Sequence, residues 1–171
     1  MNPLSTLVHS DPLDWYDPTS AMDKVHRSQA RLRFVRKPNQ VGGTFMLGAE
    51  IWWAALGTHP HRPPIEDGPI WVMLENLDGE YVTVCEKMWE VGARSRLAEG
   101  CKYVPHKGFY YRGRRQLVLD NGRRIEFRSG TQDVAALESG TIAAGFINEP
   151  PRPGHMDAFM MRCAVLGAPV L

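Results

Sequence analysis

Apolar positions recur along this chain with two different periods. From Phe45 to Leu56 almost every position is apolar or small and Gly57 follows, which predicts a buried helix stopped by glycine. Val84, Met88, Val91 and Ala98 fall near one face of a second helix predicted over Val82–Leu97. Ala21–Ala30 predicts a short early helix and Met156–Leu166 a closing one. Short runs predict strands over Arg31–Val35, Ile70–Leu74 and Thr141–Ile147, the last small and apolar enough to be a buried parallel strand. Gln116–Leu119 and Arg124–Arg128 flank Asp120-Asn121-Gly122, whose Asn-Gly step signals a hairpin. Between these elements, His59–Pro69 carries four prolines and is expected as loop, and glycine and proline break up Gly100–Gly113. Met1–Ser20 is polar and proline-punctuated, more arm than core. Trp52 and Trp53 are adjacent, so at most one points fully into the core. Strands that alternate with helices predict an α/β fold, a mainly parallel sheet with helices on both faces, joined by one or two antiparallel strands.

The junction between the first strand and the long helix carries chemistry. Arg36-Lys37-Pro38-Asn39-Gln40-Val41-Gly42-Gly43-Thr44 sits where a GxxxxGK[ST] loop needs to be, after a strand and before a helix whose first amides face phosphates. On that template Lys37 replaces the first glycine, Gly42 keeps the second, Gly43 replaces the lysine and Thr44 keeps the hydroxyl that faces Mg²⁺. Lys37, Asn39, Gln40, Val41, Gly42, Gly43 and Thr44 are therefore the candidate nucleotide-binding residues, with the lysine moved to the opposite end of the loop. The plain alternative is a Gly-Gly helix start. A second candidate lies just past the Thr141–Ile147 run, which would deliver Asn148 and Glu149 at a carboxyl end of the sheet, where α/β folds place ligands. Phosphate-loop ATPases usually carry Asp then Glu there, the first holding Mg²⁺ and the second activating water. Asn148 offers an amide oxygen without the charge that a hard cation prefers. Its plain alternative is an ordinary loop after a strand.

These pieces lie in an order that resembles the ATPase half of the large terminase subunit of tailed phages. Val25-His26-Arg27-Ser28-Gln29-Ala30-Arg31-Leu32-Arg33-Phe34-Val35 is similar to the lead-in before that family's loop, and Gly57-Thr58-His59-Pro60 to the turn after its first helix. Ile125–Ser129, Leu137-Glu138-Ser139-Gly140 and Asn148-Glu149-Pro150-Pro151 come next in family order. The resemblance covers roughly residues 15 to 171. It implies a P-loop NTPase-type fold whose sheet is incomplete at the C-terminus, and ATP and Mg²⁺ as cofactors. It further implies Lys37 on the phosphates, Thr44 and Asn148 on the metal, and Glu149 as catalytic base. The implied partners are double-stranded viral DNA, the small terminase subunit and the portal, within a ring homo-oligomer and without a membrane. Residues 1–20 would be an arm and 21–171 a partial ATPase domain. The nuclease domain of such subunits is expected to be absent, because the chain stops as a strand starting at Pro169 begins. Asp17–Thr19 falls where the family often contacts adenine.

Composition adds little that conflicts. A net charge of +1 is not that of a general polyanion binder. Three cysteines (Cys85, Cys101, Cys163), without CxxC spacing, suit a reducing compartment and give no zinc or disulfide frame. No apolar run of about 18 residues and no signal peptide is evident, so a soluble protein of the host cytoplasm is expected. Tyr110-Tyr111-Arg112-Gly113-Arg114-Arg115 mixes rings and cations as nucleic-acid surfaces do, or is simply a solvated approach to the hairpin. Arg94 and Arg96 read as a solvated helix face or as an arginine finger. His59 and His61 lack a third ligand nearby in sequence. Three functional readings remain: a DNA-packaging ATPase motor, a degenerate or truncated nucleotide-binding module without hydrolysis, and an unrelated α/β enzyme with a coincidental loop.

Overall fold

The computed structural model describes residues 11–36, 42–137, 140–165 and 167–171. Its centre is β1 (Ile70–Leu74), buried at every position. Such a strand needs cover on both faces, and its period of two divides the cover. Ile70, Val72 and Leu74 join one core with Ile51, Trp52, Val84 and Met88. Trp71 and Met73 join the other with Leu137, Ile142, Phe159 and Cys163. The first core lies under α2 (Gly43–Leu56) and α3 (Gly79–Val91), the second under α4 (Pro153–Val165). Fully burying one such aliphatic or aromatic side chain stabilises by about 1.5–3 kcal/mol.

The remaining strands of this sheet run beside β1. β5 (Arg124–Ser129) is parallel on one side, with Ile70 opposite Ile125 and Leu74 opposite Ser129. β6 (Ala144–Ile147) is parallel on the other, with Ile70 opposite Ala144 and Met73 opposite Ile147. β4 (Gln116–Val118) pairs antiparallel with β5 through the expected hairpin, giving the order β4-β5-β1-β6. Val170 bridges to Gly145 of β6 and, on its other side, to Leu32, both in parallel. The stretch expected as a strand over Arg31–Val35 thus contributes a single bridge, because pairing extends only where Val170 lies alongside. Phe34 beyond it is 79% exposed.

Three expectations shift in detail. The helix expected over Val82–Leu97 is α3, which starts earlier and ends at Val91. Gly92 then turns extended (φ −81°, ψ 161°), and a Cβ there would stand 2.5 Å from the Met88 carbonyl and 2.6 Å from the Trp52 ring. Close packing, not propensity, ends this helix, and a short 3₁₀ turn at Arg94–Arg96 comes after it. The stretch expected as loop over Gly100–Gly113 instead contains a hairpin of β2 (Cys101–Val104) and β3 (Gly108–Tyr111). Tyr103 stacks on Trp89 at 4.7 Å, and the Tyr81 hydroxyl donates to the Phe109 carbonyl at 2.5 Å. Its glycine is a strand residue: at Gly108 a Cβ would meet the Tyr81 ring at 2.6 Å. The early helix α1 (Ser20–Arg27) ends before Ala30, and Thr19 caps it by accepting from the Met22 amide. Of the two adjacent tryptophans, Trp52 is wholly buried and Trp53 partly.

A buried carboxylate holds the approach to the loop. Glu50 on α2 is 1% exposed and chelated by Arg33, whose Nη1 donates to Oε1 at 3.0 Å and Nη2 to Oε2 at 2.8 Å. His26 Nδ1 stands 2.7 Å and His59 Nε2 3.3 Å from Oε1. Burial opposes the charge of Glu50, but hydrogen bonds from His26, His59 and Arg33, with the charge of Arg33, hold its carboxyl far below the usual range. The proton position on His59 is set by its outer partner. His59 Nδ1 accepts from the His61 amide at 3.1 Å, so Nε2 carries the proton and donates to Glu50. The Tyr16 hydroxyl, pushed up to about 12 by burial and by Glu50, lies 3.0 Å from His26 Nε2 and 3.7 Å from Met22 Sδ. His26, Glu50 and His59 lie close enough to ligate a cation. The protons facing Glu50 and the chelating guanidinium occupy those atoms, which makes the group a buried ion pair. His61, considered beside His59 on sequence grounds, instead faces Asp23 at 3.8 Å.

Removing the charge of Glu50 strands that of Arg33. Glu50→Gln is expected to cost about 3–5 kcal/mol in urea unfolding at neutral pH. Because the folded pKa is depressed, this contribution is complete above the ordinary Glu value of about 4.3 and is lost as pH falls through the folded one. The gap between parent and variant should therefore be constant at neutral pH and narrow only below that value. An equal stability at pH 7 would show that the pair is dispensable.

Candidate functional site

Parallel strands end together, so β1, β5 and β6 deliver the residues after them to one edge of the sheet. Asn148 comes directly after β6 and continues its ladder for one step, its amide donating to the Met73 carbonyl at 3.2 Å. At the same edge α2 begins. Gly42 precedes it with φ +76°, a backbone conformation that favours glycine, with the flexible end of Met22 of α1 packed close beside it. The first amides of α2 have no intrahelical acceptor and carry the positive end of its dipole.

Thr44, in the first turn of α2, donates from Oγ1 to Asn148 Oδ1 at 3.3 Å. Asn148 Nδ2 in turn donates to Glu80 Oε1 at 2.6 Å. Glu80 sits in the first turn of α3, and its other oxygen accepts from the Glu75 amide just past β1. Asn76 caps the start of α3, accepting from the amides of Gly79 at 3.0 Å and Glu80 at 3.3 Å. At the end of β5, the Ser129 hydroxyl lies 2.7 Å from that of Thr131 and donates to the Glu75 carbonyl at 3.1 Å. The edge is thus a row of hydroxyl, amide and carboxylate oxygens beside a helix start, a donor set that suits a hard cation such as Mg²⁺.

The structure joins two of the sequence candidates, Thr44 and Asn148, across 104 positions of chain. Gly42 and Gly43 stand at the helix start beside them. Glu149 is exposed at the same edge, and no hydrogen-bond partner of its side chain is found among the described residues. Lys37, Asn39, Gln40 and Val41, and with them the displaced lysine, lie outside the described residues, as do Glu138 and Ser139. Glu80 does not stand out in the sequence. Its only local signal is Asp78-Gly79-Glu80 after a strand, a helix start that the apolar pattern places later, and nothing local says that β1 lies beside β6.

Weaker candidates resolve individually. Arg94 lies over Trp89 at 4.7 Å and Arg96 pairs with Asp120 at 2.7 Å, both on the exposed surface near the hairpin turn. In the Tyr110–Arg115 stretch, Arg112 takes φ +49° and covers Tyr111, while Arg115 lies 3.7 Å from Asp78 and donates to the Leu77 carbonyl. Thr19 serves as the cap of α1. All three cysteines are free, and burial pushes the thiols of Cys85 and Cys163 up to about 12. Among the described residues no helix is long and apolar enough to cross a membrane.

A mainly parallel sheet covered on both faces, with a glycine-started helix and the end of β6 meeting at its carboxyl edge, is a mixed α/β architecture. Within that class the chain has the fold of a large terminase ATPase domain. The similar solved structures are the large terminase ATPase domain of Thermus phage P74-26, at 17% identity and a TM-score of 0.64, and an arginine-to-alanine mutant of it, at 15% and 0.64. Each match covers 93% of this chain and 65% of the solved one. No protein-family model and no curated protein sequence matches the chain.

The geometry around Asn148 predicts the effect of restoring the usual aspartate. Asn148→Asp would set a second carboxylate at hydrogen-bond distance from Glu80, where two like charges cannot both ionise freely. The variant should melt below the parent without metal and gain more from Mg²⁺ than the parent does. Identical melting curves with and without Mg²⁺ would place Asn148 outside any metal site.

Proposed function

We propose that this chain is an ATPase module of a viral DNA-packaging motor, binding ATP with Mg²⁺ at the carboxyl edge of its sheet. The observation that carries this reading is the link from Thr44 through Asn148 to Glu80 at the start of α2, within a terminase ATPase fold. In the proposed arrangement Gly42, Gly43 and the first amides of α2 receive the phosphates, and Lys37 reaches them from the start of the loop. Thr44 and Asn148 hold Mg²⁺, with Glu80 supplying the carboxylate that Asn148 lacks. The ion would neutralise charge on the phosphate oxygens. Glu149, exposed beside this group, accepts a proton from the attacking water. Double-stranded DNA, the small terminase subunit, the portal and a ring of identical subunits are the partners this reading implies.

Gly43 in place of the loop lysine and Asn148 in place of aspartate favour a second reading, a module that binds nucleotide without turning it over. Losing one preorganised charge-stabilising group typically costs on the order of 10²–10³ in rate. Phosphate release and calorimetric titration with Mg-ATP separate the two. As a motor module, the chain binds Mg-ATP and turns it over slowly, and Glu149→Gln lowers turnover by roughly 10²-fold or more while binding persists. Lys37→Ala should weaken binding by roughly 1.5–3 kcal/mol. Glu80→Gln should raise the Mg²⁺ concentration required. Binding without Glu149-dependent turnover establishes the second reading, and absence of binding overturns both.

A further inference from the structure

At the other end of the sheet lies a cavity of about 310 Å³ that the proposed nucleotide site does not use. It opens where the parallel strands begin, between the C-terminal half of α2, the proline-rich loop and the chain before Val170. Along α2, at about 1.5 Å per residue, its lining residues Glu50 and Ala54 lie about 9 and 15 Å from Thr44. Three guanidinium side chains line it, Arg31, Arg33 and Arg62, against two carboxylates. Glu50 is already chelated by Arg33, and Glu66 is exposed.

Arg31 and Arg62 both lack a carboxylate partner among the described residues, and Arg62 is the half-buried one. One of its terminal nitrogens donates to the carbonyls of Ser28 and Ala30, and its Nε is buried without a partner. Among the described residues no carboxylate lies within ion-pair distance of it. Burial and the neighbouring charge of Arg33 both press its pKa down, opposed by Glu50. The cavity also has an apolar lining, which includes Trp53, Pro64, Ile65 and Phe146. A cation with no anion, set beside a second cation in a cavity with an apolar lining, lacks one component: an anionic group attached to an apolar body.

We infer that this cavity binds a small organic anion, a phosphate or carboxylate on a flat apolar body, with Arg62 and Arg31 facing the charge and Trp53 and Phe146 the body. The inference stands apart from the nucleotide reading, since it shares no site residue with it.

Calorimetric titration of the 171-residue protein tests it, with phenyl phosphate, benzoate and inorganic phosphate as probes. Phenyl phosphate or benzoate should bind at least tenfold more tightly than inorganic phosphate, and whichever of the two binds better identifies the anion class. Arg62→Gln should weaken that binding at least tenfold, and Arg62→Lys by less. Arg114→Gln, which removes a cation outside the cavity, should leave it unchanged, as should saturating Mg-ATP. Thermal melting confirms that each variant is folded. Equal weakening by Arg114→Gln, competition by Mg-ATP, inorganic phosphate binding as tightly as the aromatic probes, or no binding by any probe would each overturn the inference.

Discussion

The contact between Arg33 and Glu50 joins the segment before the glycine-rich loop to the helix after it. That closure fixes both flanks of the glycine-rich stretch, Arg33 before it and α2 after it. The pair is buried, and a buried ion pair is stable only when its remaining donors and acceptors are satisfied. His26, His59 and the Val25 carbonyl take up most of them here, Arg33 Nε alone of the pair's polar atoms being buried without a partner, and this draws α1 and the proline-rich loop into the same arrangement. One carboxylate in the middle of α2 therefore fixes four pieces of chain at once.

The two ends of the sheet differ in chemistry for reasons of topology. Parallel strands put all their carboxyl ends on one side, so the short polar residues just past β1, β5 and β6 gather there without being near in sequence. The amino ends gather arginines and prolines from the connections that feed the strands. α2 runs between the two ends, with Thr44 at one and Glu50 and Trp53 toward the other. Its nearly continuous apolar composition reflects its position against the sheet along its whole length.

Much of the fold was legible because its elements obey local rules. β1 reads as a strand from composition alone, and α2 is bounded by glycine at both ends. The 3.6-residue period identified the Val84, Met88 and Val91 face of α3, whereas Ala98, assigned to the same face, lies beyond the end of that helix. The illegible parts depended on contacts. Gly92 ends α3 because of Trp52, which no window around Gly92 contains. Gly108 looks like a breaker yet belongs to β3, because Tyr81 occupies the space of its missing side chain. In the proposed site, Thr44 and Asn148 were recognisable through their motif positions. Glu80 was not, since its importance comes from strand order. The His26, Glu50 and Arg33 cluster was hidden for the same reason: its members lie on three separate segments.

The side chain of Asn148 has a direction. It accepts on one side from Thr44 and donates on the other to Glu80, so the link has a fixed polarity and no proton that can be lost near neutral pH. An ionised aspartate there could still accept from Thr44 but would have nothing to donate to Glu80. With the amide, the start of α2 and the start of α3 are latched together by the protein's own atoms. Geometry at this edge is thus a property of the folded chain itself, held by bonds between its own side chains.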